Sequence, residues 1–150
     1  MLAKVFVTIG ILIYALVVPI QDANSTHVFN PEWVAHARLH EVWQLATNAS
    51  IGAFCLWLTW FRNEVRLPAV LALCVTGGFH FAYLIRGVYG GSMAHSDGSE
   101  TLLLGVNLGV VVFGLVVVLS VLALVFESRS KPALLPENTP RGTDSLWQSK

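Results

Sequence analysis

Four long apolar runs constrain this chain more than any other feature: about Val5–Ile20, Val42–Phe61, Pro68–Ile85 and Thr101–Phe126. A bilayer core takes about 20 mostly apolar residues in a helix. Backbone polar groups find no water there, so a spanning segment must be helical or part of a closed barrel. The first run also fits a signal peptide with Lys4 as its basic start. "VVPIQDANS" is a poor cleavage site, so an uncleaved span is the better reading. The chain is 12% charged with mean hydropathy +0.65, against about 25% charged residues in a soluble domain. The expected fold is all-α: an integral membrane, up-and-down four-helix transmembrane bundle over residues 1–126. Residues 127–150 carry three prolines and no periodicity and read as a flexible cytoplasmic tail.

Basic residues set the expected orientation. Lys4 precedes the first run, Arg62 and Arg66 lie between the second and third, and Arg129 and Lys131 follow the fourth. The other two connections hold only Arg38 and Arg86. The positive-inside rule then places both termini in the cytoplasm, as in a multi-pass protein of the plasma (inner) membrane. Trp43 and Trp60 bracket the second run as interface anchors, about 26 Å apart along a helix. The chain is electrically neutral, with nine basic and nine acidic residues, and shows no basic footprint for nucleic acid. Cys55 and Cys74 sit in apolar runs and read as small buried hydrophobes.

That topology puts all five histidines on the outer side. The stretch "HVFNPEWVAHARLHEVWQL", residues 27 to 45, opens the second run. Asn30 suits a helix cap, Pro31 the first helical position and Glu32 the positive end. At about 100° per residue, Glu32, His36, His40 and Gln44 form one ridge, with Asn48 one turn deeper. His80 and Tyr83 on the third span, with Glu100 and Asn107 on the fourth, complete an expected outward-facing pocket. His27 and His95 lie in linkers, where facing water is the plainer account. His80 differs, because an ionisable group within a span is a functional candidate.

Three kinds of chemistry fit these residues. The preferred one is binding or conversion of a small hydrophobic molecule, lipid-, sterol- or quinone-like. His36, His40, His80 and Glu41 would then act as acid–base groups. Glu32, Trp33, Asn48, Tyr83, Glu100 and Asn107 would bind the ligand. No cofactor is required. The second is a metal or haem site on His36, His40 and His80, since two histidines at i and i+4 can share one ion. The third is a non-catalytic subunit, with Gly105 and Gly109 of "GVNLG" packing against a second copy or a partner, or within the chain. Residues 87–100, "GVYGGSMAHSDGSE", read as a mobile outer loop or lid.

"THVFNPEWVAHARLHEVW" resembles the signature of a small family of uncharacterised four-span membrane proteins: Ser/Thr-His-x-Phe-Asn-Pro-x-Trp-x-x-His-Ala-Arg/Lys-x-His. Thr26, His27, Phe29, Asn30, Pro31, Trp33, His36, Ala37, Arg38 and His40 match it. The resemblance implies a four-span architecture and names no reaction. In architecture alone the chain is also similar to the emopamil-binding and sigma-2-receptor superfamily, which binds sterol-like amphiphiles in a polar-lined cavity.

Overall fold

The computed structural model describes residues 1–130. The expected tail from residue 131 onward lies outside the described residues. The architecture is helical. Helix α1 (Leu2–Leu12) runs through a π-helical turn (Ile13–Val17) into α2 (Val18–Asp22). Helix α3 (Ala35–Phe61), α4 (Arg66–Tyr89), a two-residue β1 (Leu102–Leu103), β2 (Val106–Asn107) and α5 (Leu108–Ser130) follow. Among the described residues, three helical segments are long and apolar enough to cross a membrane: Leu2–Asp22, Arg66–Tyr89 and Leu108–Arg129. This is a membrane protein. Helix α3 is the longest, at 27 residues, but Gln44, Thr47, Asn48 and Ser50 dilute its apolarity.

The π-helical turn has a local cause. A proline lacks an N–H and its ring collides with the carbonyl four residues back. For Pro19 that residue is Ala15, inside Ile13–Val17. Widening the turn there lets the helix pass its proline without breaking.

Helix α1 is the centre of the packing. Ala3, Val7, Gly10, Ile11 and Tyr14 recur at three- and four-residue spacing and are buried. They meet Cys55 on α3 and Val116 and Ala123 on α5 within one core. Gly10 admits α5: a Cβ there would lie 3.4 Å from Val116 Cγ1. Gly52 admits the π-helical turn, because a Cβ there would overlap Ala15 Cβ. Small residues allow this approach, which dispersion then stabilises. Inside the helices, Thr59 and Thr76 are buried and donate their hydroxyls to the carbonyls of Cys55 and Ala72 at 2.8 and 2.7 Å. This back-bonding removes an unpaired donor from an apolar setting.

The two ends of the bundle differ. At one end Lys4 Nζ donates to Asn63 Oδ1 at 2.6 Å and lies over the Trp60 ring, whose Nε1 donates to Thr8 Oγ1. Only residues 62–65 connect α3 to α4 there, and Glu64 Oε1 accepts from the N–H groups of Arg66 and Leu67. The other end carries the long connections 23–34 and 90–107. Helices α1 and α3 are therefore antiparallel, and all five histidines fall in the half nearer the long connections.

Three expected boundaries move. Helix α3 begins at Ala35, not near Pro31, because residues 24–33 close on themselves in turns. The fourth helix begins at Leu108, not Thr101. Residues 102–107 form an antiparallel hairpin pairing Leu102 with Asn107 and Leu103 with Val106. Its two turn residues, Leu104 and Gly105, have φ of +52° and +81°, as a tight two-residue hairpin requires. Asn107 Oδ1 accepts from Gly109 N at 2.9 Å and caps the helix start. Gly105 thus lies in a turn, so it and Gly109 do not share a helix face, and the expected small-residue seam does not form there. At its far end α5 continues to Ser130, past the expected boundary at Phe126.

Replacing Gly52 by Ala should lower the thermal midpoint in detergent, at a cost of about 1–3 kcal/mol for overpacking. Gly77 is the control, since a Cβ there meets nothing within 4 Å. Gly77→Ala should hold or raise the midpoint.

Candidate functional site

Two clusters and one cavity occupy the end with the long connections. The first cluster is a clasp built on Asn30, whose residue is only 3% exposed. Its Nδ2 donates to Ser96 Oγ at 2.8 Å and to the Thr26 carbonyl at 3.1 Å. Its Oδ1 accepts from Glu32 N at 3.0 Å. Asn30 therefore ties the first long connection to the second instead of capping α3. Ser96 is presented by a local turn in which His95 N donates to the Ser99 carbonyl and Gly98, at φ +79°, bonds back to the His95 carbonyl. Hydrogen bonds from the hydroxyl and N–H of Ser99 hold the Asp97 carboxyl below its ordinary range.

His27 sits in the same clasp. Its ring meets Trp33 and His95 edge-on at 5.9 and 5.6 Å. Nδ1 lies 2.9 Å from Thr26 Oγ1, and Nε2 lies 3.9 Å from Asp22 Oδ1. Glu41, half-buried just ahead of the apolar part of α3, completes the group. Burial pushes its carboxyl up from the ordinary value, Asp22 pushes it further, and His27 pulls it back. His27 and His95, which the sequence left facing water, are thus partners across the two connections. Asp22 had not stood out in the sequence.

The second cluster is the pair His36 and His40. Their Nε2 atoms are 3.0 Å apart, and the His40 ring stacks on Trp43 at 5.7 Å. Both histidines are exposed. Glu32, expected on the same ridge, and Trp33, expected to bind the ligand, precede the helix and belong to the clasp.

His80 joins neither cluster. Its Nδ1 donates to the Thr76 carbonyl at 2.8 Å. Its Nε2 points at α5, 3.9 Å from where a Cβ on Gly114 would lie. Among the described residues, no group of three or more His, Cys, Asp or Glu side chains converges as metal ligands would. The expected union of His36, His40 and His80 does not form.

The cavity lies between α3 and α4, roofed by residues 89–93, and holds about 500 Å³. Small-molecule sites span about 300–1,000 Å³. Gln44 and Asn48 line it from α3, Tyr83, Arg86 and Tyr89 from α4, and Ser92 from the roof. Val75, Phe79, Met93 and Phe113 form the apolar part, and Phe79 stacks on Phe113 at 4.5 Å. An adjoining cavity of about 300 Å³ shares Tyr83 and Arg86 and reaches Glu100 and Asn107 on the hairpin side. There Asn107 Nδ2 donates to Glu100 Oε2 at 3.3 Å. Asn48 lines the first of these cavities, Glu100 and Asn107 the second, and Tyr83 both. The side chains of His36, His40, His80, Glu41, Glu32 and Trp33 do not line it.

Arg86 is the residue the sequence reading missed. It had been counted only as a charge in a connection, yet it borders both cavities. The signal was available: Val75, Phe79, Ala82, Tyr83 and Arg86 recur at three- and four-residue spacing on one face of α4. No family model, curated protein or solved structure matches this chain.

Asn30→Ala should uncouple the two connections. Amide hydrogen exchange should quicken at residues 26–32 and 95–99 while the middle of α4 stays protected. The loss of buried hydrogen bonds should cost about 1–3 kcal/mol.

Proposed function

We propose that this is a four-span membrane protein that binds a small hydrophobic molecule in the cavity between α3 and α4. The observation that carries the reading is the placement of polar groups. The least apolar long helix, α3, turns Gln44 and Asn48 into that cavity rather than away from it. A polar-tipped, apolar-floored cleft suits an amphiphile. Helix α3 supplies the fourth crossing: its 27 residues extend about 40 Å. Both termini then lie on the cytoplasmic side and the cavity opens towards the outer leaflet. The histidines stand outside the cavity, so the proposal is binding, with no reaction assigned to His36, His40, His80 or Glu41.

Gly78 gives the test. It lines the cavity, and a Cβ there meets nothing within 4 Å. Gly78→Leu puts a side chain into that space and raises helix propensity by up to about 1 kcal/mol. The variant should purify and melt like the wild type but lose the apolar molecule that mass spectrometry finds in extracts of the wild type. Equal recovery from both, or only bulk phospholipid from the wild type, counts against the reading.

One observation favours a second reading. With metal–nitrogen bonds of about 2.0–2.1 Å, the 3.0 Å separation of His36 and His40 Nε2 sets an angle near a right angle (about 90–97°) at a shared ion. That suits tetragonal Cu(II) or Ni(II). Calorimetric titration with Ni²⁺ should then give one site per chain, abolished by His40→Ala and unaffected by His80→Ala. No heat, or heat that His40→Ala leaves intact, removes this reading.

A further inference from the structure

We infer that Arg86 makes the cavity selective for an amphiphile with an anionic oxygen headgroup, a carboxylate or a phosphate. The inference rests on the binding role proposed for that cavity and adds the chemistry of the ligand's polar end. A guanidinium carries five N–H donors in a planar fork. In Arg86 one is used: Nη1 donates to the Tyr83 carbonyl at 2.8 Å. The guanidinium carbon lies 4.1 Å from the centre of the Tyr83 ring, so the fork is held by a cation–π contact as well. Its other four donors have no protein partner among the described residues. No carboxylate in that set lies within 4.0 Å of it. Glu100 is the acidic group that shares the adjoining cavity, and Asn107 engages it.

A positioned fork with donors to spare matches the paired oxygens of a carboxylate or phosphate. The rest of the cavity supplies the tail site. Arg86 stands near the end of α4, and Val75 lies eleven residues deeper, about 16 Å along the axis. Phe79 and Phe113 line the way between. Charge at one end and apolar walls at the other define an acyl or isoprenoid acid, or a phosphate monoester of such a chain, and disfavour a neutral sterol. Gln44, Asn48 and Tyr83 would serve the headgroup as uncharged partners.

The test uses the full chain in a non-ionic detergent and three probes of equal length: hexadecanoate, hexadecyl phosphate and hexadecanol. The wild type should bind at least one of the anionic probes about tenfold or more tightly than the alcohol. Arg86→Gln should erase that preference, weakening the anion about tenfold to a hundredfold and leaving hexadecanol unchanged, which also shows the variant is folded. Glu100→Gln should tighten the anion slightly by removing a nearby like charge. Gly78→Leu should weaken all three probes. Comparable binding of all three, lost in Gly78→Leu, overturns the headgroup inference while the cavity reading survives. An anion preference that persists in Gly78→Leu overturns the inference, because Arg86 then acts from the surface as any interfacial cation would. Displacement of hexadecyl phosphate by equimolar inorganic phosphate also overturns it, in favour of a free anion. Failure of the wild type to bind any probe overturns both readings.

Discussion

The structure depends on how closely α1 and the turn that follows it approach their neighbours. At the Gly52–Ala15 crossing there is no room for a further methyl group, and at Gly10 the β-branched Val116 lies against bare backbone. In lipid the apolar surroundings give helices little reason to associate, so association comes from packing contacts of this kind. Polar pairs add to them. Lys4, Asn63, Trp60 and Thr8 pin α1 to α3 at one end. The result is a bundle that is tight on one side and loose on the other. The cavity lies between α3 and α4 near the long connections, with Phe113 of α5 in its wall.

That asymmetry explains where the polar residues go. A donor or acceptor inside an apolar bundle needs a partner or water. Thr59, Thr76 and His80 find a carbonyl one turn back on their own helix. Gln44, Asn48 and Arg86 face the cavity instead. The residues of the clasp take a third course. Asn30 bonds Ser96 and His27 packs on His95 between the two long connections, with Asp22 at the end of α2 beside His27.

Seen this way, the histidine-rich opening of α3 has two separate duties. The residues up to Trp33 build the clasp. His36 and His40 form an exposed pair on the first turns of the helix. Neither group reaches the cavity, although both stand at the same end of the bundle. Arg86 does reach it, and lines the adjoining cavity as well.

The sequence by itself determined that the chain is helical and belongs in a membrane, because apolar runs of bilayer length admit few other solutions. It also suggested that the histidines share one end, and the antiparallel course of α1 and α3 places them there. Tertiary structure alone decided which of them meet. His80 and Arg86 are six residues apart on one helix, which sets them about 120° apart in rotation; that one faces Gly114 on α5 and the other lines the cavity was decided by how the neighbouring helices pack. The starts of α3 and α5 were beyond reach for a related reason. Asn30 is a good helix cap by its chemistry, but its amide bonds Ser96, 66 residues away, and a contact at that distance leaves no trace in local pattern. Gly105 looked like half of a helix-packing pair until the hairpin gave it a positive φ. Local preferences set the menu of elements, and long-range contacts chose among them.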